Sequence, residues 1–163
     1  MNILVNQACI NWGSRLVGIF TLCMIPMVVN ADWKIWNPPD ISKGCVLETE
    51  DARMFDGYSK TKVKLKLTAG ALQIKTNSNV DFSFKDVGIR IDYHDFITAD
   101  DIVDEKNVIF RSELDTIIAQ FIKGLRVTLY MRFWPTYPAT DNYQTTFSLL
   151  GFTKAYQEYQ SCK

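Results

Sequence analysis

Apolar and polar residues alternate along several short stretches of this chain. Val63, Leu65 and Leu67 are separated by Lys64 and Lys66, the period-2 pattern of a strand with one face buried. The alternation resumes at Leu72, Gln73 and Ile74, after a segment holding Gly70. Residues 63–76 therefore read as a hairpin that turns at the glycine. Residues 89–93 (IRIDY) alternate in the same way. Residues 126–133 (RVTLYMRF) are the clearest case. Val127, Leu129, Met131 and Phe133 fall on one face, and Arg126, Thr128, Tyr130 and Arg132 on the other. Residues 144–150 form a further strand, and 33–36, 45–49 and 108–111 are shorter ones.

Helical spacing occurs twice. Leu114, Ile117, Ile118, Phe121 and Ile122 share one face, which predicts an amphipathic helix over 113–123. Ser112 is its expected N-cap, Asp115 lies in its first turn, Lys123 in its last, and Gly124 ends it. Thr153 is placed to cap a short C-terminal helix through Tyr159 that delivers Cys162. Many strands with one good helix and one short terminal helix predict a mainly β fold: a compact antiparallel β-sandwich-like domain.

The first 31 residues stand apart. Arg15 is their one charged side chain, and residues 16–29 (LVGIFTLCMIPMVV) are apolar. Val29, Asn30 and Ala31 follow the layout of a signal-peptide cleavage site. A spanning helix needs about 20 apolar residues, and this run is shorter and contains Pro26. Residues 1–31 therefore read as a secretory signal peptide and 32–163 as a single domain; an uncleaved anchor is the alternative. The mature chain then carries no transmembrane helix, and its expected location is periplasmic or outer-membrane-associated.

Export changes how the cysteines read. Cys9 and Cys23 leave with the signal, so Cys45 and Cys162 remain as a pair. In an oxidising compartment such a pair reads as a disulfide, with two buried free thiols as the alternative. The 18 basic and 18 acidic residues balance, which argues against an electrostatic nucleic-acid binder.

Signals for chemistry are sparse. His94, the single histidine, sits between Tyr93 and Asp95, but no second histidine accompanies it as a metal ligand. It reads as a strand-end histidine. Asp92, Asp95, Asp100, Asp101, Asp104 and Glu105 form an acidic stretch without the spacing of a calcium loop. It reads as a solvated loop with capping aspartates. No nucleophile motif, zinc motif or phosphate-cradling loop is present, so no enzyme activity, metal or cofactor is expected.

Residues 147–155 (FSLLGFTKA) resemble the S-L-x-G-F-x-x-A signature of the invasion-associated locus B (IalB) family. The export signal, the tryptophan soon after it and the apolar helix ending in glycine before a long strand are similar too. The usual second cysteine pair is missing, and FWPTYPAT replaces a shorter connection, as in a divergent member. The resemblance implies an exported Gram-negative protein with a small β-sandwich-like domain, of a family with no established catalytic site.

The expected function is that of an exported, non-enzymatic binding protein acting through a protein partner in the cell envelope. It would serve as an accessory subunit of a periplasm-facing membrane complex or as a host-interaction factor, with peripheral membrane association compatible with either. The expected partner surface comprises Tyr130, Arg132, Trp134 and Tyr137. Pro135 ends the strand and Pro138 stiffens the loop, so its aromatics would be displayed at low entropic cost. Folding of Trp134 and Tyr137 over the sandwich end as a lid is the structural alternative. The alternative functions are a carbohydrate- or peptidoglycan-binding module using the exposed aromatics, and a hydrolase using Asp92 and Asp95.

Overall fold

A computed structural model describes residues 32–37, 44–134 and 141–162. The expected signal peptide and its cleavage site lie outside the described residues. Among the described residues the fold is mainly β, with two antiparallel sheets and two helices. The larger, seven-stranded sheet contains β1 (Trp33–Trp36), β2 (Val46–Thr49), β3 (Ala52–Phe55), β4 (Lys60–Thr68), β5 (Ala71–Thr76), β8 (Asp101–Val103) and β9 (Asn107–Phe110). Its order is β1-β2-β4-β5-β9-β8, with β3 pairing β4 beyond the end of β2. The four-stranded sheet runs β11-β10-β6-β7, from β6 (Gly88–Ile91), β7 (Ile97–Thr98), β10 (Arg126–Met131) and β11 (Tyr143–Ser148).

Period-2 burial produces this arrangement. On β4 and β5, Val63, Leu65, Leu67, Leu72 and Ile74 are buried, and Ala69 and Gly70 make the two-residue turn between Thr68 and Ala71. On β10, Val127, Leu129 and Met131 have no exposed surface, and Phe133 continues the register through an isolated bridge to Val80. These side chains meet in one core between the sheets. The pattern 144–150 is realised as β11 over a shorter span, and 89–93 stops at Ile91 because Asp92 turns into the left-handed region.

The helices α1 (Leu114–Lys123) and α2 (Phe152–Ser161) pack together, and α2 lies against β1 and β2. Ile117 and Phe121 are the buried residues of α1. Phe121 meets Trp33 at 6.2 Å and Phe152 at 5.2 Å, both edge-on. Two local expectations change, at Ser112 and Thr153. The hydroxyl of Ser112 donates to Asp100 rather than capping the helix, whose N-cap is Glu113. Gly124 ends α1 as expected, in an extended conformation. A Cβ there would lie 2.8 Å from the Gln120 carbonyl and 2.9 Å from Ile91, so close packing requires glycine. Thr153 donates to the Ile122 carbonyl, tying α2 to the end of α1, while the left-handed Gly151 (φ 86°) starts α2.

The residues of the family-like signature form this strand-to-helix elbow. Ser148 Oγ accepts from the Leu150 amide at 3.2 Å, and the Leu149 amide donates to the Leu125 carbonyl. Leu149, Phe152 and Ala155 are buried, while Leu150 points out. Cys45 and Cys162 are disulfide-bonded with Cα atoms 6.0 Å apart, which fastens the end of α2 to the start of β2. Among the described residues, no helix is long and apolar enough to cross a membrane.

Candidate interaction surface

The outward face of the four-stranded sheet carries the polar side of β10. Tyr130 stands opposite Gly88 on β6 and Gln144 on β11. Gly88 decides what happens beside it. A Cβ there would come within 2.2 Å of the Ile97 carbonyl and 2.6 Å of the Phe96 ring. Its absence lets Phe96 lie on the sheet, edge-on to Tyr130 at 5.4 Å and 82°. The Arg90 guanidinium lies 5.8 Å from the Tyr130 ring centroid. Phe84, Lys85, Asp86 and Asn142 complete an open groove of 560 Å³ with aromatic walls and a polar end.

Arg132 supports this groove from within. Its Nε and Nη2 donate to the two Asp86 carboxylate oxygens at 2.7 and 2.6 Å, a bidentate fork. The guanidinium also stacks on Phe84 at 4.3 Å. The Arg132 hydrogen bond is the main reason the Asp86 carboxyl sits below its ordinary value; burial opposes it and Asn142 assists. Asn142 Nδ2 donates to the Asp86 carbonyl at 2.8 Å.

Of the four residues expected at a partner surface, Tyr130 lines the groove and Arg132 holds its Asp86 wall. Trp134 is 54% exposed on the segment beyond β10, with its amide bonded to the Asn79 carbonyl at 2.9 Å. Tyr137, with Pro135 and Pro138, lies outside the described residues. Sequence reasoning missed Phe84, Phe96, Arg90 and Gly88. The two phenylalanines occupy irregular segments, where no periodicity marks them. Gly88 immediately before an alternating strand was the available signal.

The candidate chemical residues serve the backbone. Asp92, at φ 46°, accepts from the amides of Leu125 (2.9 Å) and Arg126 (3.1 Å). Asp100 accepts from the Arg111 and Ser112 amides at the start of the α1 segment. Asp56, which was not among the candidates, likewise accepts from Tyr58, Ser59 and Ser78. At Asp100 and Asp56 burial raises the carboxyl pKa, but these hydrogen bonds outweigh it and the net shift is downward. His94 is exposed in the turn after β6, and its backbone amide donates to Ile91. Among the described residues, no group of three or more His, Cys, Asp or Glu side chains is arranged to hold a metal ion.

No protein-family model matches the sequence, and no curated protein matches it. Among solved structures, the crystal structure of invasion associated protein B from Bartonella henselae is similar. The match covers 79% of this chain and 92% of that one, with a TM-score of 0.51 and 17% sequence identity. An identity this low speaks to fold alone, and the fold of this chain is IalB-like.

Proposed function

We propose that this protein is an exported, non-enzymatic binding protein of the Gram-negative cell envelope that recognises a protein partner through the outward face of its four-stranded sheet. The observation that carries this reading is the built aromatic groove. Gly88 makes room for Phe96, the Arg132–Asp86 fork fixes one wall, and Tyr130 is held between Phe96 and Arg90. Aromatic and arginine side chains in fixed positions are the types that dominate binding hot spots. The exposed Trp134 indole, on the segment beyond β10, is the second expected contact. Export rests on the N-terminal sequence pattern and on the disulfide, which suits an oxidising compartment. An accessory subunit of a periplasm-facing membrane complex and a host-interaction factor are both roles of this kind.

The test is stoichiometric recovery of a partner from envelope fractions by the wild type and by Tyr130→Ala and Trp134→Ala. Both substitutions should reduce recovery at least tenfold while changing stability by about 1 kcal/mol or less. Undiminished recovery by both variants would reject the surface. Retention on a peptidoglycan column, lost in Trp134→Ala, would favour the carbohydrate-binding alternative.

A further inference from the structure

The chain has equal numbers of basic and acidic residues, but the outward face of the seven-stranded sheet is not balanced. Lys60, Lys62, Lys64 and Lys66 alternate with buried Thr61, Val63 and Leu65, so all four stand on the solvent side of β4. They form a ladder about 20 Å long. Neighbouring strands add to it. Lys75 on β5 lies directly opposite Lys64, and Arg53 on β3 directly opposite Lys62. Like charges in opposed positions destabilise a sheet. Glu48 and Asp51 pair with Lys64 and Lys62 at 3.0 and 2.9 Å. Among the described residues, Lys60, Lys66, Lys75 and Arg53 form no salt bridge, although Glu48 stands directly opposite Lys66 on β2.

These side chains border two shallow depressions along the ladder. One, of 350 Å³, is lined by Trp36, Glu48, Lys64, Lys66 and Lys75. The other, of 370 Å³, includes Arg53, Lys60 and Lys62 with Ser59 and Ser78. Trp36 is half exposed beside the first.

We propose that this face docks on an anionic phospholipid surface. The cations are mainly lysines, compact charges on flexible stems that can follow mobile phosphates, rather than arginine forks set for one fixed geometry. Tryptophan is enriched at the headgroup level of membranes. Two open depressions along one ladder suit separate headgroups better than one small ligand. The outward faces of a sandwich are opposed, so docking here would leave the aromatic groove turned away from the bilayer. The proposal does not depend on the partner reading, since it involves the other sheet.

Vesicle flotation of the protein as it accumulates in cells, purified without detergent, tests it. Vesicles containing phosphatidylglycerol should bind it at low salt, and pure phosphatidylcholine vesicles should not. Each lysine near an anionic surface is worth about fivefold in partitioning, so Lys66→Gln with Lys75→Gln should weaken binding about 25-fold. Lys123→Gln with Lys154→Gln, on the helices, should leave binding unchanged. Matching unfolding midpoints would show that both double variants remain folded. The proposal is overturned by absence of binding to phosphatidylglycerol vesicles, by equal binding of the Lys66/Lys75 variant, or by binding to heparin without binding to vesicles.

Discussion

Phe121 is 2% exposed and joins α1 to Trp33 and Phe152 in the core. Truncating a ring this buried leaves a cavity that its aromatic neighbours cannot fill. Phe121→Ala should cost about 3–5 kcal/mol in denaturant unfolding, and a loss well under 1 kcal/mol would contradict its place in the core. Arg132 lies at the opposite extreme of legibility. Its outward register just beyond β10 was readable, but its engagement by Asp86 and Phe84 was not, because both partners lie in an irregular segment 46 and 48 residues earlier. The fork holds Asp86 below the ordinary carboxylate value of 3.8. A carboxyl depressed in the folded state contributes stability that is fully present above that value. The contribution disappears as pH falls through the lower folded value. Asp56 and Asp100 act in the same direction. Arg132→Gln should therefore destabilise the protein at neutral pH by about 1.5–3 kcal/mol, toward the lower figure because the Asp86 side chain is 45% exposed. It should also make the acid loss below pH 3.8 shallower. Urea midpoints measured across that range check both parts, and an unchanged acid slope would mean that the fork does not set the Asp86 carboxyl.

At the scale of elements, long alternating strands and the amphipathic helix were legible because burial imposed their period. β4, β5, β9 and β10 fall close to their predicted places. β3, β7 and β8 escaped. β7 has two residues and β8 three, so neither carries enough alternation to show a period; pairing with β6 and β9 defines them. Helix ends were misread for a related reason. Ser112 and Thr153 have the expected residue types, but their roles are set by Asp100 and by the Ile122 carbonyl, both distant in sequence, whereas Gly124 ends α1 as expected. The disulfide was readable from the cysteine count once export was assumed, and it closes a separation of 117 residues. Cys45→Ser with Cys162→Ser should lower stability by about 2–5 kcal/mol. Hydrogen exchange should rise first in α2 and at the start of β2, the segments that the bond fastens together. Exchange rising equally across both sheets would show that the bond stabilises only through the unfolded state.

At the scale of the whole molecule, the sandwich presents two unlike faces: a lysine ladder on the larger sheet and an aromatic groove on the smaller. Neither was visible in bulk composition. The net charge of zero conceals the ladder because many of the carboxylates lie off it, among them Asp92 and Asp95 after β6 and Asp104 and Glu105 in the turn between β8 and β9. The groove draws on residues 84 to 142, so only the fold assembles it. Its function as a recognition face is the central claim, and in-cell photocrosslinking addresses it most directly. A photoreactive phenylalanine analogue at position 130 or 134 should yield one discrete protein adduct in intact cells. The same analogue at Ile122, exposed on α1, should not. Adducts from position 122 but from neither 130 nor 134, in protein that remains folded and exported, would contradict the account.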